Sequence, residues 1–220
     1  LSSNIGEVVV LFLSVMLTPL FANWFGVQDI SSITPLLAIH ILWVNLVTDS
    51  LPALALAVDP AEDDIMNRKP RKNTKGIFTK GMVYRVIYQG TLIGILTLLA
   101  FVLGLATTEG MVDSERIKIA QTMSFTVLAF SELVHVFNVR NNEKSVFKTG
   151  LLNNKKLLFA IGASSILVLS ILFIPVLREI FSIAVLPKEN IFEVIILVFS
   201  PLVIVEIMKL FKINTIKDKE

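Results

Sequence analysis

Apolar residues dominate this chain in long runs, and the polar positions collect in clusters between them. Six apolar segments result, at about 5–21, 36–58, 82–105, 119–137, 157–177 and 191–211. Each approaches the roughly 20 residues that an α-helix needs to cross hydrocarbon. In lipid every backbone polar group must be satisfied internally, and helices of this length do so. The pattern therefore predicts an all-α fold, a polytopic membrane bundle of six transmembrane helices forming one domain over 1–220. The chain opens Leu-Ser-Ser, without an initiator Met or a signal-peptide pattern, and enters its first apolar run at once. A fragment of a longer protein is expected, with the start of the first span cut off.

The clusters between the runs set an orientation. Sixteen Lys and Arg residues fall in the stretches around 59–85 and 138–156 and in the tail, against four (Arg116, Lys118, Arg178, Lys188) in the other loops. The positive-inside rule then puts loops 59–80 and 138–156 and the C-terminus in the cytoplasm. The opposite loops, about 22–35, 106–118 and 178–190, are too short to fold as domains. The loop at 59–80 is rich in Asp, Lys, Arg and Pro; it could not form a core but could dock on a soluble partner domain. No internal repeat of the secondary-transporter kind is visible.

Composition sharpens this reading. Hydrophobic residues make up 54% and charged residues 17%, too greasy a balance for a soluble domain. Cysteine is absent, so thiolate metal sites and disulfides are excluded and oxygen-bound hard cations gain weight.

Against that background three carboxylates stand out inside spans: Glu7, Asp49 and Glu132. A charge at mid-bilayer costs about 2.5–3.5 kcal/mol on insertion scales, so several together call for a cation. Asn4 shares a helical face with Glu7, and Asn45 and Thr48 share one with Asp49. Calcium accepts six to eight mixed oxygen donors, whereas magnesium prefers a tight octahedron and keeps more water. Pro52 adds a second signal. It lacks an amide hydrogen and clashes with the carbonyl of Thr48, so the helix should kink or unwind beside Asp49. Broken membrane helices are tolerated where freed carbonyls line a cavity or bind an ion.

Blander readings stand beside these. Glu132 alone could be a hydrogen-bonded packing residue, and Glu7 could lie near headgroups. His135 reads more readily as packing than as a ligand. Gln89 and Glu206 read as interhelical hydrogen-bond partners, and Asp113, Glu115, Glu179 and Glu189 as solvated loop charges. Gly90 and Gly94 form a small-xxx-small pair suited to close helix packing, against Gly6 of the first span.

The strings Ser-Ser-Asn-Ile-Gly-Glu at 2–7 and Leu-Trp-Val-Asn-Leu-Val-Thr-Asp-Ser-Leu-Pro-Ala at 42–53 resemble the calcium-transporting P-type ATPases. The sarcoplasmic/endoplasmic reticulum type and its bacterial relatives are most similar, and Asp-Asp-Ile-Met-Asn-Arg-Lys-Pro-Arg at 63–71 looks like the same family. Over spans three to six the match is mainly topological, apart from Glu132. The resemblance implies the last six of ten helices. It implies one calcium site drawing on Asn4, Glu7, Thr48, Asp49 and Glu132, and a second on Asn45 and Asp49, with two ions per cycle favoured over one. It implies that Asp59, Asp63, Asp64, Arg68 and Arg71 belong to a loop that couples the membrane part to a phosphorylation domain.

By the same resemblance, ATP and Mg2+ act only in the full-length enzyme, through soluble domains outside these 220 residues, so this stretch alone cannot hydrolyse ATP. Protons are expected to neutralise the emptied carboxylates, because clustered buried charges repel one another. The expected partners are the bilayer and the N-terminal helices and cytoplasmic domains of the same protein, with no nucleic acid, in a bacterial plasma membrane. Pumps for Mn2+ or Na+/K+ share the architecture, although Trp43-Val44-Asn45 favours the calcium branch. Read without the resemblance, a secondary cation/proton exchanger or a channel subunit stays open.

Overall fold

The computed structural model describes residues 1–27, 32–59, 66, 80–140, 145–146 and 154–211. Among these there are no strands, and six helical stretches are long and apolar enough to cross a membrane. They are α1 (Ser2–Phe25), a composite second span (α2, Ala38–Trp43; a π-helical turn, Val44–Thr48; α3, Ser50–Ala57), α4 (Lys80–Thr107), α5 (Asp113–Arg140), α6 (Lys155–Phe173) and α8 (Lys188–Leu210). A short helix, α7 (Pro175–Ile180), precedes the last span.

Three boundaries differ from the hydropathy reading by four or more residues: α1 runs on to Phe25 where an end at about 21 was expected, and two others differ for a local reason. The fifth apolar run was expected to continue to Leu177, but α6 stops at Phe173. Ile174 is extended (φ −83°, ψ 118°) because the residue before a proline is pushed out of the α region, and Pro175 starts α7 with its preset φ. The fourth span begins six residues earlier than expected, at Asp113. Asp113 and Glu115 therefore sit in the first turn of α5, where negative charge favours the helix N-terminus.

The bundle is arranged around α5. This helix packs against α4, α8, α6 and the π turn, while α1 packs on α4 and α3 on α6. Its sequence explains its place. Gln121, Thr122, Ser124, Thr126, Ser131, Glu132, His135 and Asn138 are all buried, and none could face hydrocarbon cheaply. Conversely Phe12, Val15 and Met16 on α1, Phe159 and Ile166 on α6 and Phe192 and Phe199 on α8 are exposed. That is the polarity expected of helices whose outer solvent is lipid.

Lipid gives helices no hydrophobic reason to associate, so close backbone approach matters. A Cβ on Gly90 would lie 2.5 Å from the carbonyl oxygen of Ser2, and one on Gly94 2.7 Å from that of Gly6. These glycines let α1 and α4 touch backbone to backbone. Gly104 meets Ala120 in the same way where α4 crosses α5.

Candidate cation site

The second span determines the local geometry. The regular α-helix of this span is interrupted ahead of Pro52, over residues 44–49. The chain stays helical and accommodates the proline with one π turn, in which the Asp49 N–H reaches back five residues to the Val44 carbonyl (2.9 Å). The regular ladder resumes with Ala53 N–H donating to Asp49 O at 3.1 Å. Ser50 Oγ donates to the Asn45 carbonyl (3.2 Å), satisfying an acceptor that the wider turn perturbs. Single π turns of this type cluster at functional positions.

This turn sets Asn45 against Glu7 of α1. Asn45 Nδ2 donates to both Glu7 oxygens at 2.7 Å and to the Ile41 carbonyl at 3.0 Å, which commits both amide hydrogens. Glu7 is buried, and Asp49 lies within electrostatic reach of it. Glu132, on α5, is 3% exposed and interacts with both Asp49 and Glu7. Ser3 of α1 also neighbours Asp49. Three elements thus turn Glu7, Asn45, Asp49 and Glu132 toward one region.

Buried oxygens there are short of donors. Thr48 Oγ1 is buried without a hydrogen bond, and both carboxyl oxygens of Glu132 are buried with the Asp49 carboxyl as their polar neighbour. An unsatisfied buried polar atom costs about 1–3 kcal/mol, more when charged, and such atoms point to a ligand or a bound proton. All of the donors are hard oxygens, the set that suits Ca2+. The side chains do not close into a finished shell, however. Among the described residues no three His, Asp or Glu side chains are grouped tightly enough to hold a metal ion. Asn4 is exposed, one turn from Glu7. Asp63, Asp64, Arg68 and Arg71 lie outside the described residues.

Asp59, where the second span ends, is held from two directions. Arg140 Nε donates to Oδ2 and Asn154 Nδ2 to Oδ1, both at 2.8 Å. Asn154 also caps α6, accepting from the Leu157 N–H at 2.9 Å. The start of the 59–80 loop is therefore tied to the ends of α5 and α6.

Several polar residues carry more than the sequence reading assigned them. Ser3 lies four residues before Glu7, a spacing that could have flagged it. His40 is fully buried; Leu37 N–H donates to its Nδ1 (3.3 Å), so Nε2 carries the proton donated to the Phe181 carbonyl (2.7 Å). Arg116, counted with the loop charges, is instead buried and joins two helix ends, donating to Phe25 O (3.0 Å) and Leu105 O (3.1 Å). His135 bridges to Gln89 of α4 (3.2 Å) and is a neighbour of Asn138. Glu206 pairs with Lys209 (2.9 Å) and accepts from Ser145 Oγ and Val146 N–H.

This bundle, with its buried carboxylates and π turn, has the form of the membrane part of a cation transporter. Residues 33–211 match the family model described as Cation transporting ATPase, C-terminus, and the chain belongs to that family. It is 41% identical to Calcium-transporting ATPase 1 of Bacillus cereus over 97% of this chain and 24% of that protein. It is 38% identical to the Calcium-transporting ATPase of Bacillus subtilis, over 86% of this chain and 19% of the relative. Calcium-transporting ATPase 1 of Lactococcus lactis is 31% identical over 83% of this chain and 18% of its own length. The chain thus spans about a quarter or less of these relatives.

Proposed function

We propose that this chain is the membrane part of an ATP-driven pump that moves Ca2+ out of the cytoplasm, with protons returning in exchange. The observation that carries the reading is the buried carboxyl of Glu132, set against the carboxyls of Glu7 and Asp49 beside the π turn. The printed names of the relatives support calcium as the cargo. Glu7, Thr48, Asp49 and Glu132 supply oxygens to one ion, with Asn4 reaching in from the turn before Glu7. Asn45 and Asp49 contribute to a second ion, Asp49 being shared. Both amide hydrogens of Asn45 are committed, so Oδ1 is the atom it offers to an ion.

The remaining helices and the ATP- and Mg2+-using domains belong to the same protein. Phosphorylation there moves the second span against α1 and α5, which weakens the oxygen cage and exposes it to the other side. Protons then neutralise the emptied carboxylates, since mutual repulsion disfavours leaving all three charged. The 59–80 loop carries the signal between the two parts. The excess of Lys and Arg puts that loop, 138–156 and the C-terminus in the cytoplasm, and the bacterial relatives suggest a bacterial plasma membrane.

The test is phosphorylation by ATP in the whole protein, as a function of Ca2+, for Glu7→Gln, Asp49→Asn and Glu132→Gln separately. Each should require at least about tenfold more Ca2+, as expected when a charge-assisted contact is lost. Unchanged calcium dependence in all three removes the site. A parallel titration with Mn2+ tests the choice of cargo, and equal activation by both metals overturns it.

A further inference from the structure

A second feature lies away from the carboxylates. Between α5, α6 and α8 runs a cavity of about 560 Å³, walled by Phe130, Leu169, Leu172, Val194 and Val198, with Arg178 among its lining residues. Arg178 sits in the last turn of α7 and is half-buried, and its Nε is buried without a hydrogen-bond partner. The backbone explains why the arginine stays there. After α7 the chain turns through Ser182 at a left-handed φ of 54°, and the Ile183 N–H closes on the Arg178 carbonyl at 2.8 Å. Residues 184–186 then run along the cavity, pinned by the Ala184 N–H donating to Thr122 Oγ1 at 2.9 Å.

A guanidinium at the edge of hydrocarbon demands an acceptor, because an unpaired buried donor is costly and a charge more so. No described carboxylate pairs with it. The wall next to it is almost wholly apolar and lies in a bundle that spans the bilayer. A molecule with an anionic, bidentate acceptor at one end and a long apolar body at the other satisfies both surfaces, and the bilayer supplies it. We infer that this cleft binds one anionic phospholipid, its phosphate on Arg178 and an acyl chain along the wall between α5, α6 and α8. Arg suits phosphate because its planar fork makes two parallel charge-assisted bonds. Thr126 adds no competing polar demand, since its hydroxyl already donates to the Thr122 carbonyl. The inference needs only the membrane bundle and is independent of the cargo.

The whole protein carrying this chain would be delipidated in a mild detergent. It would then be titrated with phosphatidylglycerol, with phosphatidylcholine of the same acyl chains, and with inorganic phosphate, and bound species counted by native mass spectrometry. One phosphatidylglycerol should be retained at least about tenfold more tightly than phosphatidylcholine. Arg178→Gln should abolish that preference while leaving the lipid-free unfolding midpoint unchanged, and Arg178→Lys should keep part of it. Val198→Trp, which fills the wall, should weaken retention of both lipids. Equal affinity for the two lipids, a preference that survives Arg178→Gln, displacement by inorganic phosphate, or a polypeptide retained in place of lipid would each overturn the proposal. If Arg178→Gln yields no folded protein, Val198→Trp decides: unchanged retention rejects the site.

Discussion

Asn45 is the residue on which the candidate site turns, because one amide joins the second span to α1. Replacing it by Ala removes the donor of both short contacts to Glu7 and frees that carboxylate to relax. The expected result is at least about a tenfold loss in apparent Ca2+ affinity, read from the calcium dependence of phosphorylation by ATP. Arg116 is the stability counterpart. Arg116→Met leaves the Phe25 and Leu105 carbonyls without their donor, and charged hydrogen bonds contribute about 1.5–3 kcal/mol. A lower thermal unfolding midpoint in detergent should follow. Glu7, Asp49 and Glu132 were legible in the sequence because a carboxylate in lipid is conspicuous wherever it occurs. The roles of Arg116 and His40 were not, since their partners lie 91 and 141 positions away. An arginine beside a span end looks like a solvated charge until the fold supplies the carbonyls.

At the scale of elements, the six spans were legible from run length alone, and α6 ended early only because Pro175 restarts the helix. The break at Pro52 was half legible. A proline in a span demands relief, but whether relief comes as a kink or as a π turn depends on the neighbours. Here Ser50 Oγ and the Val44 carbonyl take up the slack. Pro52→Ala restores a donor for the Thr48 carbonyl and removes the reason for the wide turn. Losing one π turn rotates the helix on one side by about 100° relative to the other. Asn45 should then turn from Glu7, so calcium activation should fall while the amount of folded protein is kept. Gly90→Leu tests α1 against α4. Its Cβ would press on the Ser2 carbonyl, and overpacking of this kind costs about 1–3 kcal/mol, visible as a lower unfolding midpoint.

For the whole molecule, Asp59 joins the loop at 59–80 to the ends of two other spans through Arg140 and Asn154. In the proposed pump that clamp ties the end of the second span to α5 and α6. Asp59→Ala should lower the ratio of Ca2+ moved to ATP hydrolysed more than it lowers hydrolysis itself, measured together in reconstituted vesicles. A matching loss of both would mean that the clamp serves stability alone. Position in the assembly was the least legible property of all. Nothing in the apolar runs ranked the spans, yet the one richest in hydroxyl, amide and ionisable groups became the hub.

That rank bears on how the protein is made. A helix carrying Gln121, Glu132, His135 and Asn138 is a poor candidate for release into lipid by itself, since the insertion machinery scores each segment on its own greasiness. α5 should leave that machinery only alongside α4, which it meets closely where Gly104 faces Ala120, and wait for α8 before its polar groups are fully shielded. Chains halted after residue 140 should therefore stay accessible to proteases and chaperones that the finished bundle excludes.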